Sequence, residues 1–162
     1  MGARYFMSGQ QTLASVADTA LTVTSNSATV QRNRIYELNM GNVGTPADLV
    51  SIYLIGKVTT ENSGNMTILV ATNVDEEDRA PQALVGSNHT GEPTYVAGTV
   101  ALNIPTNGDL LRVPLNHRAT YRWVAPPGGE LVTPKVQGDG IGGKSDHASA
   151  TTDYMIGAHW IE

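Results

Sequence analysis

Tyr95-Val96-Ala97-Gly98-Thr99-Val100-Ala101-Leu102-Asn103-Ile104 sets Val96, Val100, Leu102 and Ile104 against Tyr95, Ala97, Thr99, Ala101 and Asn103. Successive side chains of a strand point to opposite faces, so this alternation is that of a half-buried β-strand. The same period recurs on either side. Leu111, Val113 and Leu115 alternate with Arg112 and Pro114, and the proline, having no amide hydrogen, places that strand at a sheet edge or at its own end. Tyr36, Leu38 and Met40 alternate with Glu37 and Asn39; Met66, Ile68 and Val70 alternate with Thr67 and Leu69. At the C-terminal end Tyr154, Ile156, Ala158 and Trp160 oppose Met155, Gly157, His159 and Ile161.

Leu49 to Val58 is more continuously apolar and reads as a central strand or a short buried helix after Pro46. Its β-branched residues and Gly56 favour the strand. Leu21–Thr24, Tyr121–Val124 and Glu130–Thr133 are shorter candidates. Turn signals such as Ser63-Gly64-Asn65, Asn107-Gly108-Asp109 and Pro127-Gly128-Gly129 separate them. Eight or nine strands without helices between them predict an all-β fold, a β-sandwich or jelly roll. Residues 21–162 form the expected sandwich domain, and residues 1–20, rich in Ser, Gln, Thr and Ala, a possible N-terminal arm. Asn73–Pro93 and Pro134–Thr152 read as long loops, the second carrying Gly138, Gly140, Gly142 and Gly143.

The composition agrees. Charged residues are 15% of the 162, against about 25% in ordinary soluble domains, and the difference is made up by small and β-branched residues. The net charge of −5 and the dispersed arginines argue against a nucleic-acid partner. There is no cysteine, so neither a disulfide framework nor a thiolate site is available and the fold must rest on packing. No apolar run approaches the ~20 residues of a membrane helix, and the first residues lack the apolar stretch of a signal peptide. No membrane association is expected.

Catalytic chemistry finds little to stand on. His89, His117, His147 and His159 form no metal-ligating pair at short spacing. Asp75-Glu76-Glu77-Asp78 supplies oxygen ligands but lacks the alternation and glycine of a calcium loop, and reads as a solvated acidic loop. Gly138-Asp139-Gly140-Ile141-Gly142-Gly143 has neither the spacing nor the following helix of a phosphate-cradling loop. No Gly-x-Ser-x-Gly elbow occurs. No catalytic residue, metal or cofactor is expected. Tyr121, Trp123, Tyr154 and Trp160 offer a sugar-stacking platform as one reading, against which Trp123 and Trp160 read as core or subunit-interface residues.

Tyr121-Arg122-Trp123-Val124-Ala125-Pro126-Pro127-Gly128-Gly129-Glu130-Leu131-Val132-Thr133-Pro134 is followed by Gly140-Ile141-Gly142 and by a last strand closing on His159-Trp160-Ile161-Glu162. This resembles the late part of small virion proteins of tailed bacteriophages, where an RW-V-A-x-P-G strand and turn leads to a P…N-G-I-G loop. Asp139 stands where that pattern has Asn, and the loop after it is longer and more charged. The resemblance implies a capsid decoration (cement) protein. Such a protein is a jelly-roll-like sandwich, commonly a homotrimer, made in the host cytoplasm and seated on the head where major capsid subunits meet. The site it implies is an interface: Arg4, Tyr5 and Phe6 against the major capsid protein, and the segment from Asp139 through Ile141 and Lys144 to His147 against neighbours, with Trp160 at a subunit contact. The alternative from another class is a tail, baseplate or carbohydrate-binding sandwich with Trp123 and Trp160 at the ligand surface.

Overall fold

The computed structural model describes residues 2–12, 18–26, 31–44, 48–61, 65–96, 108–146 and 152–162. Among them are thirteen strands and no α-helix. The first sheet contains β1 (Arg4–Thr12), β3 (Arg34–Asn42), β6 (Thr72–Asn73), β10 (Thr120–Val124), β11 (Leu131–Val132) and β13 (Asp153–Ile161). Its order is β10-β3-β13-β1-β6, with β11 sharing the outer edge of β3 with β10. The second sheet contains β2 (Asp18–Ser25), β4 (Val50–Thr60), β5 (Thr67–Leu69), β7 (Ala83–Ser87), β8 (Thr94–Tyr95), β9 (Asp109–Asn116) and β12 (Gly140–Asp146). Its order is β5-β7-β2-β12-β4-β8, with β9 beside β8 on the outer edge of β4. The strand pairings are antiparallel, and the two sheets pack face to face as a β-sandwich.

The core between the sheets is built by alternation. Tyr5, Ile35, Leu38, Met40, Tyr154, Ile156 and Trp160 come from the first sheet, and Leu21, Val23, Tyr53, Ile55, Val85 and Ile141 from the second. The C-terminal strand shows the pattern best: Tyr154, Ile156, Ala158 and Trp160 are buried, as the sequence indicates. Glu162, just beyond this strand, ties the sheets together. The Glu162 carboxylate accepts the amide hydrogens of Gln82 (2.9 Å) and Ala83 (2.9 Å), at the start of β7.

Several sequence expectations need correction. The strand count exceeds eight or nine because β5, β6, β8 and β11 are two or three residues long, too short for periodicity to register. The possible N-terminal arm contains β1, which lies inside the first sheet between β13 and β6. Its polar composition reflects an open outer face, not detachment. The expected loop Asn73–Pro93 contains β7, whose Val85 is fully buried. The expected loop Pro134–Thr152 contains β12, an interior strand paired on both sides, with β2 and with β4. The continuously apolar Leu49–Val58 is indeed a strand, β4, and Pro114 does sit on an edge strand, β9. The alternating run quoted first continues beyond Tyr95 into residues 97–104, which lie outside the described residues.

Glycine recurs in β12 because the neighbours leave no room for side chains. A Cβ on Gly140 would overlap the carbonyl oxygen of Val23 on β2; one on Gly143 would lie 2.7 Å from Ile156 Cδ1 across the core. One on Gly142 would come within 2.5 Å of the Tyr95 hydroxyl on the opposite face. These glycines serve close packing, not a turn.

Candidate functional site

The two sheets treat their outer faces differently. Over the second sheet lies a small additional core of Leu54, Val58 and Tyr95, with Ile52 against it. Beside it Lys144 is buried, its Nζ 4.4 Å from the Tyr95 ring centroid and 3.7 Å from Glu92 Oε2. Glu92 also accepts the Thr19 amide (2.6 Å) and hydroxyl (2.9 Å), and the Thr19 and Tyr95 hydroxyls are 2.9 Å apart. This polar knot is internally satisfied, with only Glu92 partly exposed, and reads as structural.

The outer face of the first sheet is open. Arg4, Phe6, Ser8 and Gln10 of β1 stand there, facing Ile161, His159, Gly157 and Met155 of β13. The Phe6 and His159 rings are 4.4 Å apart, and Tyr36 adds a third ring 5.9 Å from His159. Tyr36 reaches this face through a bulge. Ile35 and Glu37 oppose the consecutive residues Trp160 and His159, so Tyr36 is the extra residue between them. Sequence alternation had set Tyr36 with Leu38 and Met40; the bulge puts it on the opposite side. Gly157 is the flat neighbour of the row, and a Cβ there would meet Phe6 Cε2 at 3.3 Å.

Charge borders the rings. Arg122 of β10 grips Glu37 of β3 with two bonds, Nε to Oε1 at 2.7 Å and Nη2 to Oε2 at 2.8 Å. That grip holds the Glu37 carboxyl down at about 2. Burial lowers the His159 imidazole below its usual value, Glu37 pulling it back up and Arg122 adding to the depression. Burial likewise raises the Tyr36 phenol. At neutral pH the surface therefore presents a neutral imidazole between two rings, with a bidentate ion pair alongside. Val124 and Met155, 51% and 41% exposed, extend the apolar area. Apolar centre and charged border are the anatomy of a recognition surface. The carboxylate is consumed by its ion pair, so the group offers contact rather than proton transfer.

The sequence-nominated residues are scattered by the fold. Phe6 and Arg4 stand on this open face, Phe6 half-buried and Arg4 exposed. Tyr5 and Trp160, their rings 5.8 Å apart, are fully buried in the sandwich core. Ile141 and Lys144 are buried in β12, and half-buried Asp139 is in the turn before it, its carbonyl accepting the Ser25 amide at 3.0 Å. His147 lies outside the described residues. Trp123 is half-buried against the core, which removes the proposed Trp123–Trp160 stacking surface. His159, Tyr36, Glu37 and Arg122 were not nominated. The signal for His159 was present, since it alternates with buried Trp160; the bulge that gathers Tyr36 and Glu37 beside it leaves no mark in composition.

No three His, Asp or Glu residues among those described are grouped to hold a metal. The amides of β12 are committed to β2 and β4, so its glycines cannot cradle a phosphate. The fold and surface define an antiparallel β-sandwich with one open, aromatic-bearing face. Comparison with protein-family models, curated proteins and solved structures finds no match.

Proposed function

We propose that this chain is a structural protein of a tailed-phage particle, binding the outside of the head and stabilising contacts between major capsid subunits. The observation that carries the reading is the Phe6–His159–Tyr36 row on the open face of the first sheet, bordered by the Arg122–Glu37 pair. The virion resemblance of the segment from Tyr121 onward supplies the particle. β10, which bears Arg122, belongs to that same segment. Rings mounted on hydrogen-bonded strands lose little freedom on docking, and repeated copies on a lattice convert weak contacts into strong retention. The cysteine-free core makes the fold independent of redox state before and after release from a cell.

Sedimentation with heads assembled from the major capsid protein of the same particle tests the reading. Stoichiometric retention, weakened about tenfold or more by Phe6→Ala or Tyr36→Ala, is the expected result. Failure of the folded wild-type protein to sediment with expanded heads overturns the function. Retention unaffected by either substitution overturns the choice of face.

A further inference from the structure

Two short strands on opposite edges of the first sheet, β6 and β11, differ in chemistry; β11 shares its edge with the longer β10. On one side β6 leads directly into Val74, 47% exposed, and then into exposed Asp75, Glu76 and Glu77. On the other, β11 presents Val132 and is followed by exposed Lys135 and Val136, the two valines 37% and 53% exposed. Register shows that these features stand level. Val74 donates its amide to the Arg4 carbonyl at 2.8 Å; Arg4 pairs with Ile161, Ile161 with Arg34, and Arg34 with Val132. One line perpendicular to the strands thus runs from an apolar and acidic edge to an apolar and basic one.

We propose that copies of this chain associate head to tail through these edges, the Val74–Glu77 edge of one against the Val132–Val136 edge of the next. Charge selects the arrangement. Pairing two copies of the acidic edge would set one carboxylate run against another, which is repulsive, whereas acidic on basic joins Asp75–Glu77 to Lys135 around a Val74–Val132–Val136 contact. β6 and β11 are each only two residues long, which limits backbone pairing through them and leaves specificity to side chains. The contact is heterologous, so sheet twist, which rotates one edge relative to the other, decides whether successive copies close into a ring. The proposal is independent of what the open face binds.

Light scattering after size exclusion gives the test, over a dilution series in low and high salt. The wild-type chain is expected to exceed its 17.2 kDa monomer mass at low salt and to shift toward monomer as salt screens the edges. Lys135→Glu and the pair Glu76→Lys with Glu77→Lys alter only exposed side chains, so circular dichroism should match wild type. Each variant alone should be monomeric. An equimolar mixture should associate, because each retains the edge that the other has lost. A wild-type chain monomeric at all concentrations overturns the proposal, as does a mixture that stays monomeric or a Lys135→Glu variant that associates like wild type.

Discussion

The first sheet shows one face to solvent, and the second covers both of its faces; nearly every difference in how the two could be read from sequence follows from that. In β13 Tyr154, Ile156, Ala158 and Trp160 are buried and Met155, His159 and Ile161 more open, with only Gly157 interrupting the alternation, and in β1 Tyr5, Gly9 and Gln11 are buried between more open neighbours. In β4, by contrast, Tyr53, Leu54, Ile55 and Gly56 are buried in succession, because Tyr53 and Ile55 enter the main core while Leu54 joins the small core outside. In β12 Ile141, Gly142, Gly143, Lys144 and Ser145 are all buried. Double coverage erases alternation and, where neighbours come closest, replaces side chains with glycine.

The largest expected effect breaks this comparison at its tightest point. Gly140→Ala drives a methyl group into the Val23 carbonyl, which belongs to the backbone of the adjacent strand and cannot rotate away. A loss of about 4 kcal/mol or more in urea denaturation, or failure to obtain folded protein, is expected. The matching change on the open sheet, Gly157→Ala, meets only the Phe6 ring edge, which can move, and should cost about 1 kcal/mol or less. Equal effects would mean that β12 is not packed between β2 and β4 as described.

That contrast also explains what the sequence made legible. The all-β class, the strands β3 and β13 of the first sheet and the inward set of β13 follow from period two, whereas β1 was read as an arm. β12 was mistaken for a loop because a Gly-x-Gly-Gly strand has the composition of a turn, and nothing in the sequence says that Ile156 and Tyr95 fill the space over it. β7 was missed because only Ala83–Ser87 is extended, closely following Pro81. For the candidate site, Phe6 and Arg4 were found through the resemblance, while Tyr5 and Trp160 were placed on a surface they do not reach. Long-range register, which brings Tyr36 and Arg122 to His159, requires the fold.

The next effect concerns the buried knot over the second sheet. Lys144→Met leaves Glu92 without its ammonium partner in a site where Lys144 is 3% exposed, and should cost about 3 kcal/mol. Glu92 is partly solvated, so adding Glu92→Gln should return part of the loss, and denaturation of the two single variants and the double variant measures the coupling. Additive losses would show that the two charges do not interact.

Two histidines sharpen the comparison through pH. His89, in the second sheet's neighbourhood, is 2% exposed, and burial pushes its imidazole down to about 4 from an ordinary 6.5. Between those values the unfolded chain takes up a proton that the folded chain refuses, so stability falls as pH drops from 6.5 toward 4 and levels off below. The loss attributable to His89 is about 3 kcal/mol, and His89→Gln should flatten that part of the profile. His159, half-buried on the open sheet, shifts in the same direction with Glu37 opposing, so His159→Gln should change the profile less.

The smallest effect on stability is expected at a residue whose loss should still weaken binding. Arg122 is 65% exposed in its side chain, so although its bidentate grip holds Glu37 at about 2, water screens the pair. Arg122→Ala should lower the unfolding midpoint at pH 7 only slightly. Because the depressed Glu37 carboxyl favours the folded state above its unfolded value near 4.5, the small difference between variant and wild type should be present at neutral pH and fade as pH falls from 4.5 toward 2. In head sedimentation the same substitution should weaken retention severalfold, since it removes the charged border of the aromatic row. Loss of stability without loss of retention would make Arg122 a brace for β10 and β3, and the open face would lose its claim to be a recognition surface.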